Sequence, residues 1–262
     1  MNLGLSGDAA VVAASSSGLG KAAATALARE GADVVVNGRD EDRLDAAVAD
    51  IREVADGEVV GHAADLTEKA EAEGLVQRAV EEFGDLDHLV TNAGGPPSKS
   101  FEETTDEEWY EAYDLLVMST VRLVREAIPH LRDGGGSIVT STSKSVKEAI
   151  DGLVLSNSVR MSVVGLEKTL SRELAPDVRV NAVMPGSHET DRMVDLVEQG
   201  VERGEYDSYE AGKAAWADDI PTGELGDPGE FGNVVAFLCS DRASFITGEA
   251  VMVDGGASRS NL

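Results

Sequence analysis

The sequence is poor in cysteine, in long apolar runs and in basic residues, and each shortage excludes a class of protein. The single cysteine, Cys239, excludes an internal disulfide and is typical of a reducing cytoplasm. No apolar run approaches the roughly 20 residues that a membrane span needs. The N-terminal stretch MNLGLSGDAAVV lacks the basic region and the cleavage site of a signal peptide. We therefore expect a cytoplasmic protein with no membrane partner.

The shortage of basic residues makes the chain strongly acidic. Lys and Arg total 22 against 49 Asp and Glu, which gives a net charge of −27. High net charge can indicate disorder, but the apolar residues are periodic along the chain, which favours a folded protein. A densely carboxylated surface stays hydrated in concentrated salt, so we interpret the chain as halophilic; an ordinary acidic cytoplasmic protein is the alternative. Nucleic acid is not expected as a partner because phosphate would meet a negative field.

Short Val-rich runs alternate with amphipathic helical segments throughout the 262 residues. Apolar strands separated by helices are typical of a parallel sheet that is covered on both faces. The pattern predicts one α/β domain over residues 1–262, a doubly wound, Rossmann-like parallel sheet of seven strands with helices on both faces. The expected strands are Ala9–Ala14, Asp33–Asn37, Val59–Ala63, Leu86–Asn92, Ser137–Ser141, Arg179–Met184 and Ala250–Val253, and the expected helices span about 18–30, 41–55, 68–83, 106–131, 154–174 and 228–239.

The stretch 186–226 is polar and acidic, carries Gly and Pro, and is the only long irregular region that the sequence predicts. A long irregular segment beside strand ends is more often functional than a domain boundary. We therefore interpret residues 186–226 as a lid on the substrate side.

Four strand ends carry residues suited to a ligand, which in such a sheet binds outside the carboxyl ends of the strands. After the first strand, Gly18 and Gly20 stand at the start of a helix, where free N–H groups and the helix dipole favour a phosphate. The second strand ends in NGRD, where Arg39 could pair with a phosphate or could be a solvated turn residue. The third strand ends in Asp65-Leu66, and the fourth ends in TNAGG.

In this order and spacing, these pieces resemble the classical short-chain dehydrogenase/reductase family over essentially the whole chain. The cofactor turn of that family, T-G-x-x-x-G-x-G, falls on Ala13, Ala14, Gly18 and Gly20, with Ala in place of the Thr and of the first Gly. Further matches are the adenine-contacting pair Asp65-Leu66, the N-A-G motif at 92–94, the P-G-x-x-x-T element at 185–190 and the closing stretch ITGEAVMVDGG at 246–256. The resemblance implies no metal site, and it implies a nicotinamide dinucleotide held by Ser15, Ser16, Ser17, Gly18, Leu19, Gly20, Arg39, Asp65, Leu66, Asn92, Ala93, Gly94, Arg160, Pro185, Gly186 and Thr190.

The same resemblance locates the catalytic positions, and there the sequence departs from the family. The family uses a Tyr general acid, a Lys one helical turn later, a Ser upstream of the Tyr and an Asn on the preceding helix. Those positions hold Ser156, Arg160, Ser143 and Leu116 respectively, so only Ser143 matches. Arg160 keeps the positive charge, but Ser156 is a far weaker acid than a phenol. The SN-x-x-R pattern resembles a divergent branch that is labelled 3-oxoacyl-carrier-protein reductase-like.

Three functions remain open. The first is an NAD(P)-dependent oxidoreductase that interconverts a carbonyl and an alcohol on an unknown small molecule with a relocated acid. Lys144 and Lys147 are candidate acids, and we favour Lys147, although a surface pair with Glu148 would also explain it. His188 and Glu189 are candidate substrate contacts. The second function is that of a catalytically inactive NADP(H)-binding regulatory protein, and the third is that of a structural scaffold.

The residues at the end of the second strand decide the expected cofactor. An acidic residue there would bond the ribose hydroxyls and repel a 2′-phosphate. Relatives that prefer NAD carry Asp at this position, whereas this sequence has Gly38 followed by Arg39. NADP(H) is therefore expected over NAD(H), with Ser15 or Ser16 contacting the same phosphate and Asp40 opposing it.

A homotetramer is the assembly that the family resemblance implies. Its contacts would use helices 106–131 and 154–174. Both segments carry more apolar positions than one sheet face needs, which favours a further packing surface.

Overall fold

A computed structural model describes residues 2–260, in which seven parallel strands form one sheet. The strands are β1 (Ala9–Val12), β2 (Asp33–Gly38), β3 (Val59–Ala63), β4 (His88–Thr91), β5 (Ser137–Ser141), β6 (Arg179–Pro185) and β7 (Ala250–Val253). Their order is β3-β2-β1-β4-β5-β6-β7, so the direction of winding reverses between β1 and β4. The predicted doubly wound parallel sheet is confirmed. Its ligands are expected at the reversal, outside the carboxyl ends of the strands.

Helices cover both faces of the sheet because successive strand residues point to opposite sides. Val12 joins an apolar cluster with Leu27 and Phe231 on one face, while Val11 joins Leu75 and Leu123 on the other. No helix within residues 2–260 is both long and apolar enough to cross a membrane. The helices are α1 (Gly18–Arg29), α2 (Glu41–Arg52), α3 (Lys69–Phe83), α4 (Asp106–Tyr113), α5 (Ser119–Gly134), α6 (Val154–Glu173), α7 (Asp191–Glu202), α8 (Tyr209–Asp218) and α9 (Pro228–Cys239).

The helix expected at 106–131 is confirmed as one helical stretch, in which a π-helical segment at Asp114–Met118 stands between α4 and α5. The wider turn lets two consecutive side chains, Leu116 and Val117, be buried together against Leu155 of α6. Such π-helical insertions are frequent beside functional sites.

The expectation that 186–226 is irregular is wrong in part, because the segment contains α7 and α8. The two helices enclose a small apolar cluster of Met193, Val197, Ile220 and Leu225. Polar and charged residues occupy most other positions of this segment, although Met193, Val197 and Val201 of α7 recur at helical spacing. The helices form because they cover one another rather than the sheet.

Glu167 is a buried carboxyl on α6 with a strongly shifted pKa. The residue is 3% exposed, and its Oε1 has no hydrogen-bond partner among the described residues. Burial raises the pKa of Glu167 from 4.5 to about 7, with Glu249 adding to the rise and Lys168 opposing it. The folded chain therefore keeps a proton that the unfolded chain releases. The free energy of unfolding must then fall as the pH rises from about 4.5 to 7.

Glu167→Gln is expected to increase the free energy of unfolding at pH 8 by about 1–2 kcal/mol, because the neutral amide has no charge to desolvate. The gain should vanish well below pH 4.5, where the wild-type carboxyl is protonated in both states. Chemical denaturation in molar KCl at several pH values measures it. Glu173→Gln, at an exposed position of the same helix, is the control. Equal effects of the two substitutions at pH 8 would contradict this account of Glu167.

Candidate active site

Two adjoining clefts lie at the carboxyl ends of the strands. The larger cleft has a volume of about 810 Å³ and the smaller cleft about 290 Å³. The predicted cofactor residues Pro185, Gly186 and Arg160 line the smaller cleft, and Leu19, Asn92, Ala93 and Thr190 line both. Those that line the larger cleft alone are Ser16, Ser17, Gly18, Gly20, Arg39, Asp65, Leu66 and Gly94. The structure therefore brings all the predicted cofactor residues except Ser15 to one groove.

The turn between β1 and α1 forms one wall of the larger cleft. Ala14, where the family has a glycine, keeps a left-handed backbone with φ of 46°, and Gly18 has φ of 54°. A Cβ on Gly20 would overlap the carbonyl oxygen of Ala14 and lie 2.8 Å from Asn92 Nδ2. The first turn of α1 contains no acidic residue, and the Ser17 side chain makes no capping hydrogen bond. The helix start is thus shaped and charged to receive a phosphate.

Ser15 is not a cleft residue, which corrects the expectation that its hydroxyl contacts a phosphate. The residue is fully buried. Its Oγ donates to the carbonyl oxygen of Val12 over 2.5 Å and accepts from the N–H of Asn37 over 2.9 Å. The hydroxyl therefore joins β1 to β2 inside the sheet, and both its donor and its acceptor capacity are used there.

The end of β2 places a cation at the rim of the larger cleft. Arg39 has a side chain that is 77% exposed, and its Nη1 lies 3.8 Å from a carboxylate oxygen of Asp65. Two hydrogen bonds from Thr67 lower the pKa of Asp65, and Arg39 contributes further. A Cβ on Gly38 would lie 2.6 Å from the Oγ of Ser16, so the serine occupies the space that a side chain at position 38 needs.

Residues from distant elements close the groove around the start of α1. Asn92, just after β4, donates through Nδ2 to the carbonyl oxygen of Ala14 over 3.1 Å. Thr190, just before α7, comes within 3.6 Å of a Cβ built on Gly18. Gly186, after β6, donates its N–H to the carbonyl oxygen of Val253 over 2.8 Å. These contacts join the N-A-G and P-G-x-x-x-T segments to the phosphate turn.

Ser156 and Arg160 lie one turn apart on α6, and their side chains are joined in the smaller cleft. Arg160 donates from Nε to Ser156 Oγ over 3.2 Å, and from Nη1 to the carbonyl oxygen of Thr142 over 3.2 Å. Burial, with a smaller effect of Arg192, lowers the pKa of Arg160 to about 10. A guanidinium with that pKa remains charged at neutral pH. The Ser156 hydroxyl therefore accepts its hydrogen bond from a cation.

Ser143 lines the same cleft, and its Oγ accepts the N–H of Ser145 over 3.1 Å. Ser145 Oγ in turn lies 3.5 Å from Ser156 Oγ, so Ser145 contacts both of the other serines, Ser143 through its N–H and Ser156 through its hydroxyl. Leu116, at the position of the family's Asn, is 3% exposed within the apolar cluster between α4, α5 and α6. It offers no polar group for a bound water. The smaller cleft is therefore built from hydroxyls and cations without a phenol.

The structure corrects the preference for Lys147 over Lys144. Lys147 is exposed and is not among the residues that line either cleft. Lys144 is half-buried and lines the smaller cleft. Lys144 is the first residue of the single turn Lys144–Val146 that Ser143 caps, whereas Lys147 follows the end of that turn. Spacing along the sequence carried no information on that turn.

The two candidate contacts at the start of the lid segment separate. His188 is 5% exposed and lines the smaller cleft, where burial lowers its pKa. Its ring packs edge-on against Phe231, with the two centroids 6.1 Å apart. Glu189 instead turns away and pairs with Lys213 of α8 at 2.5 Å. Only His188 is therefore placed to contact a ligand in the smaller cleft.

Arg192 is a cleft residue that the sequence analysis missed. It begins α7, two residues after Thr190, and lines both clefts. It donates to the carbonyl oxygens of Gly95 and Pro96 over 3.2 and 3.3 Å, and so reaches across the groove to the loop after β4. The only sequence signal was its position directly after the P-G-x-x-x-T element.

Comparisons with known proteins agree with this geometry. A family model described as enoyl-(acyl carrier protein) reductase matches residues 13–258. Dehydrogenase/reductase SDR family member 4 of Homo sapiens is 34% identical over 260 residues, which span 96% of this chain and 88% of the relative. L-sorbose reductase of Gluconobacter frateurii, solved with NADPH and L-sorbose, has a TM-score of 0.94 and 32% identity and covers 99% of this chain and 100% of its own.

A second solved structure shows that the likeness extends to an enzyme with the other nicotinamide cofactor. A 7α-hydroxysteroid dehydrogenase, solved with NADH and 7-oxo glycochenodeoxycholic acid, has a TM-score of 0.86 and 28% identity. The match covers 99% of this chain and 97% of that one. The family match, the identity over nearly the full length and the shared fold lead to one conclusion. The chain belongs to the short-chain dehydrogenase/reductase family of nicotinamide-dependent oxidoreductases.

Proposed function

We propose that the protein is an NADP(H)-dependent oxidoreductase that interconverts a carbonyl and an alcohol on a small molecule. The observation that carries this proposal is the continuity of the two clefts. The larger cleft, lined by the phosphate turn, runs into a smaller cleft that holds Ser143 and the pair of Ser156 and Arg160. When bound, the nicotinamide supplies the hydride that a carbonyl carbon accepts, or takes it from an alcohol carbon.

The end of β2 supports the preference for NADP(H). No carboxylate stands at position 38, and Ser16 occupies the space where one would project. The guanidinium of Arg39 lies 3.8 Å from Asp65, and its remaining exposed N–H groups can form charge-assisted hydrogen bonds with a 2′-phosphate at the rim. Complexes of structural neighbours with NADPH are consistent with this preference, although another neighbour was solved with NADH.

The serines and Arg160 supply the proton chemistry in this proposal. Ser143 Oγ already accepts a backbone N–H, so its own proton is available for a hydrogen bond to the substrate oxygen. Arg160 polarises the Ser156 hydroxyl and stabilises the negative charge that develops on the substrate oxygen. A substrate alkoxide is about as basic as hydroxide, because the pKa of water is about 15.7. A serine hydroxyl can donate its proton to that alkoxide while it takes a proton from water, and the hydroxide so formed leaves to the solvent, so no phenol takes part.

The segment 186–226 keeps its proposed role as a substrate-side lid, now as a pair of helices. Met193 and Leu196 of α7 and Trp216 of α8 line the smaller cleft. Their apolar side chains would cover a small substrate and exclude bulk water from the hydride-transfer site.

Calorimetric titration with NADPH and NADH in molar KCl, followed by a screen of carbonyl substrates, tests the proposed function. Nucleotide binding with substrate-dependent oxidation of NADPH supports the oxidoreductase. Binding without turnover across the screen would favour the inactive regulatory protein. A chain that binds neither nucleotide would be a structural scaffold. Molar salt is needed because the charge of −27 repels an anionic cofactor unless it is screened.

We also propose a homotetramer in molar salt, with α4, α5 and α6 at its interfaces. Tyr110 and Tyr113 of α4 and Met161 of α6 expose 75%, 46% and 50% of their surface, and a neighbouring subunit would bury these apolar side chains. Light scattering in molar KCl should give four times the chain mass of 27.4 kDa. Met161→Glu should lower that mass, whereas Val54→Glu, on another face, should not. A monomeric wild type in molar salt would contradict the assembly.

A further inference from the structure

The charged residues that line the smaller cleft are all positive, whereas the chain as a whole is strongly acidic. Three cations line it, and no Asp or Glu does. The larger cleft has both signs, with Asp40, Asp65 and Asp191 beside Arg39, Arg43 and Arg192. The chain as a whole has 49 acidic against 22 basic residues. An all-cationic cleft in such an acidic chain indicates a ligand that needs positive charge at that place.

Arg160 is the most buried of these cations. Its side chain is 9% exposed and lines the cleft, and its neighbours are a hydroxyl and a backbone carbonyl. No carboxylate of the described residues pairs with it. Neutral acceptors satisfy single N–H groups but leave the charge uncompensated, and burying a cation without a counter-ion destabilises a fold. An anion in the cleft would supply that counter-ion.

Lys144 and Arg192 extend this charge along the cleft. Arg192 also meets only neutral acceptors, the carbonyl oxygens of Gly95 and Pro96. Because Arg192 lines both clefts, a cofactor phosphate could explain it alone. Lys144 lines only the smaller cleft, beside Ser143, and so is the cation that a cofactor in the larger cleft explains least.

We propose that the substrate is a small anionic carbonyl compound, a ketone or aldehyde that carries a carboxylate or a phosphate. Lys144 and Arg192 would hold the anionic group, which leaves the carbonyl beside the serines. The cleft volume of about 290 Å³ restricts the substrate to a small molecule. The net charge of −27 repels anions from the protein as a whole, so the cations of the cleft must supply the selection. This inference rests on the proposed function and specifies its substrate class.

Calorimetry on the protein–NADP⁺ complex in molar KCl tests the proposal with matched pairs of probes. Acetoacetate is compared with methyl acetoacetate, and dihydroxyacetone phosphate with dihydroxyacetone. At least one anion should bind about tenfold or more tightly than its neutral partner, which corresponds to one charge-assisted contact. The pair that shows the preference identifies carboxylate or phosphate as the recognised group.

Lys144→Met and Lys147→Met form a matched pair of variants from one turn. Lys144→Met should weaken binding of the preferred anion about tenfold and leave its neutral partner unchanged. Lys147→Met should alter neither, because that side chain lies outside the cleft. The proposal is overturned if neither anion exceeds its neutral partner, or if both lysine variants behave alike. If a neutral probe is reduced and no anion is preferred, the anionic-substrate proposal fails and the proposed oxidoreductase function stands. If an anion is preferred but no probe is turned over, only the proposed oxidoreductase function is refuted.

Discussion

Arg39→Asp is expected to weaken NADPH binding by about 10- to 100-fold and to make NADH the tighter ligand. In the wild type, the Arg39 guanidinium lies at the rim of the larger cleft, 3.8 Å from Asp65. The substitution removes a charge-assisted donor and places a third carboxylate beside Asp40 and Asp65. A 2′-phosphate would then be repelled, while the ribose hydroxyls of NADH would gain an acceptor. Calorimetric titration with both nucleotides in molar KCl measures the reversal.

Arg132→Asp is the control for the change in net charge, because Arg132 is exposed on α5 and lines neither cleft. It should leave the ratio of the two affinities unchanged. Substituting Gly38 by Asp is a poorer test, because its side chain would collide with Ser16 and disturb the turn itself. If the wild type binds both nucleotides equally, or if the preference survives Arg39→Asp, the assignment of Arg39 is refuted.

Ser143→Ala is expected to lower kcat by about 100- to 1000-fold, the usual effect of removing one hydrogen bond to a developing oxyanion. NADPH affinity should be unchanged, because Ser143 lines the smaller cleft and not the larger one. Ser156→Ala should also reduce kcat, since it removes the hydroxyl that Arg160 polarises over 3.2 Å. Steady-state kinetics with the best substrate of the screen gives both values. Ser98→Ala, an exposed position on the wall of the same cleft, is the matched control.

The pH profile of kcat distinguishes a serine relay from a titrating acid. Neither a serine hydroxyl nor a charged guanidinium titrates between about pH 6.5 and 9, so kcat should be flat in this range. Burial lowers the pKa of His188, which therefore stays neutral over the same range. A tenfold change of kcat per pH unit within it would indicate a titrating donor and contradict the proposed role of the serines. Full activity of Ser143→Ala would contradict it as well.

The fold and the nucleotide turn could be read from the sequence because both depend on local patterns. The central residues of a buried parallel strand are apolar, so a run such as Val34–Val36 between two helical segments indicates a strand. Gly20 is required because a side chain there would overlap the carbonyl oxygen of Ala14, and that constraint is visible as a glycine at fixed spacing. The helix α7 was visible in the sequence, because Met193, Val197 and Val201 recur at four-residue spacing, but a polar, Gly- and Pro-containing segment was interpreted as irregular.

The details of the site were decided by the tertiary structure, because they depend on where side chains point after the chain has folded. Ser15 and Ser16 are adjacent, yet the Ser15 hydroxyl forms hydrogen bonds inside the sheet while Ser16 lines the larger cleft. Lys144 lies in the turn that Ser143 caps and lines the smaller cleft, whereas Lys147 follows that turn and is exposed. The sequence by itself determined a doubly wound sheet with a phosphate turn, since those follow from hydrophobic period and glycine spacing. Only the tertiary structure placed Arg160 of α6 and Arg192 of α7 in one cleft without a carboxylate, because the charge of a site is the sum over residues that lie far apart in the sequence.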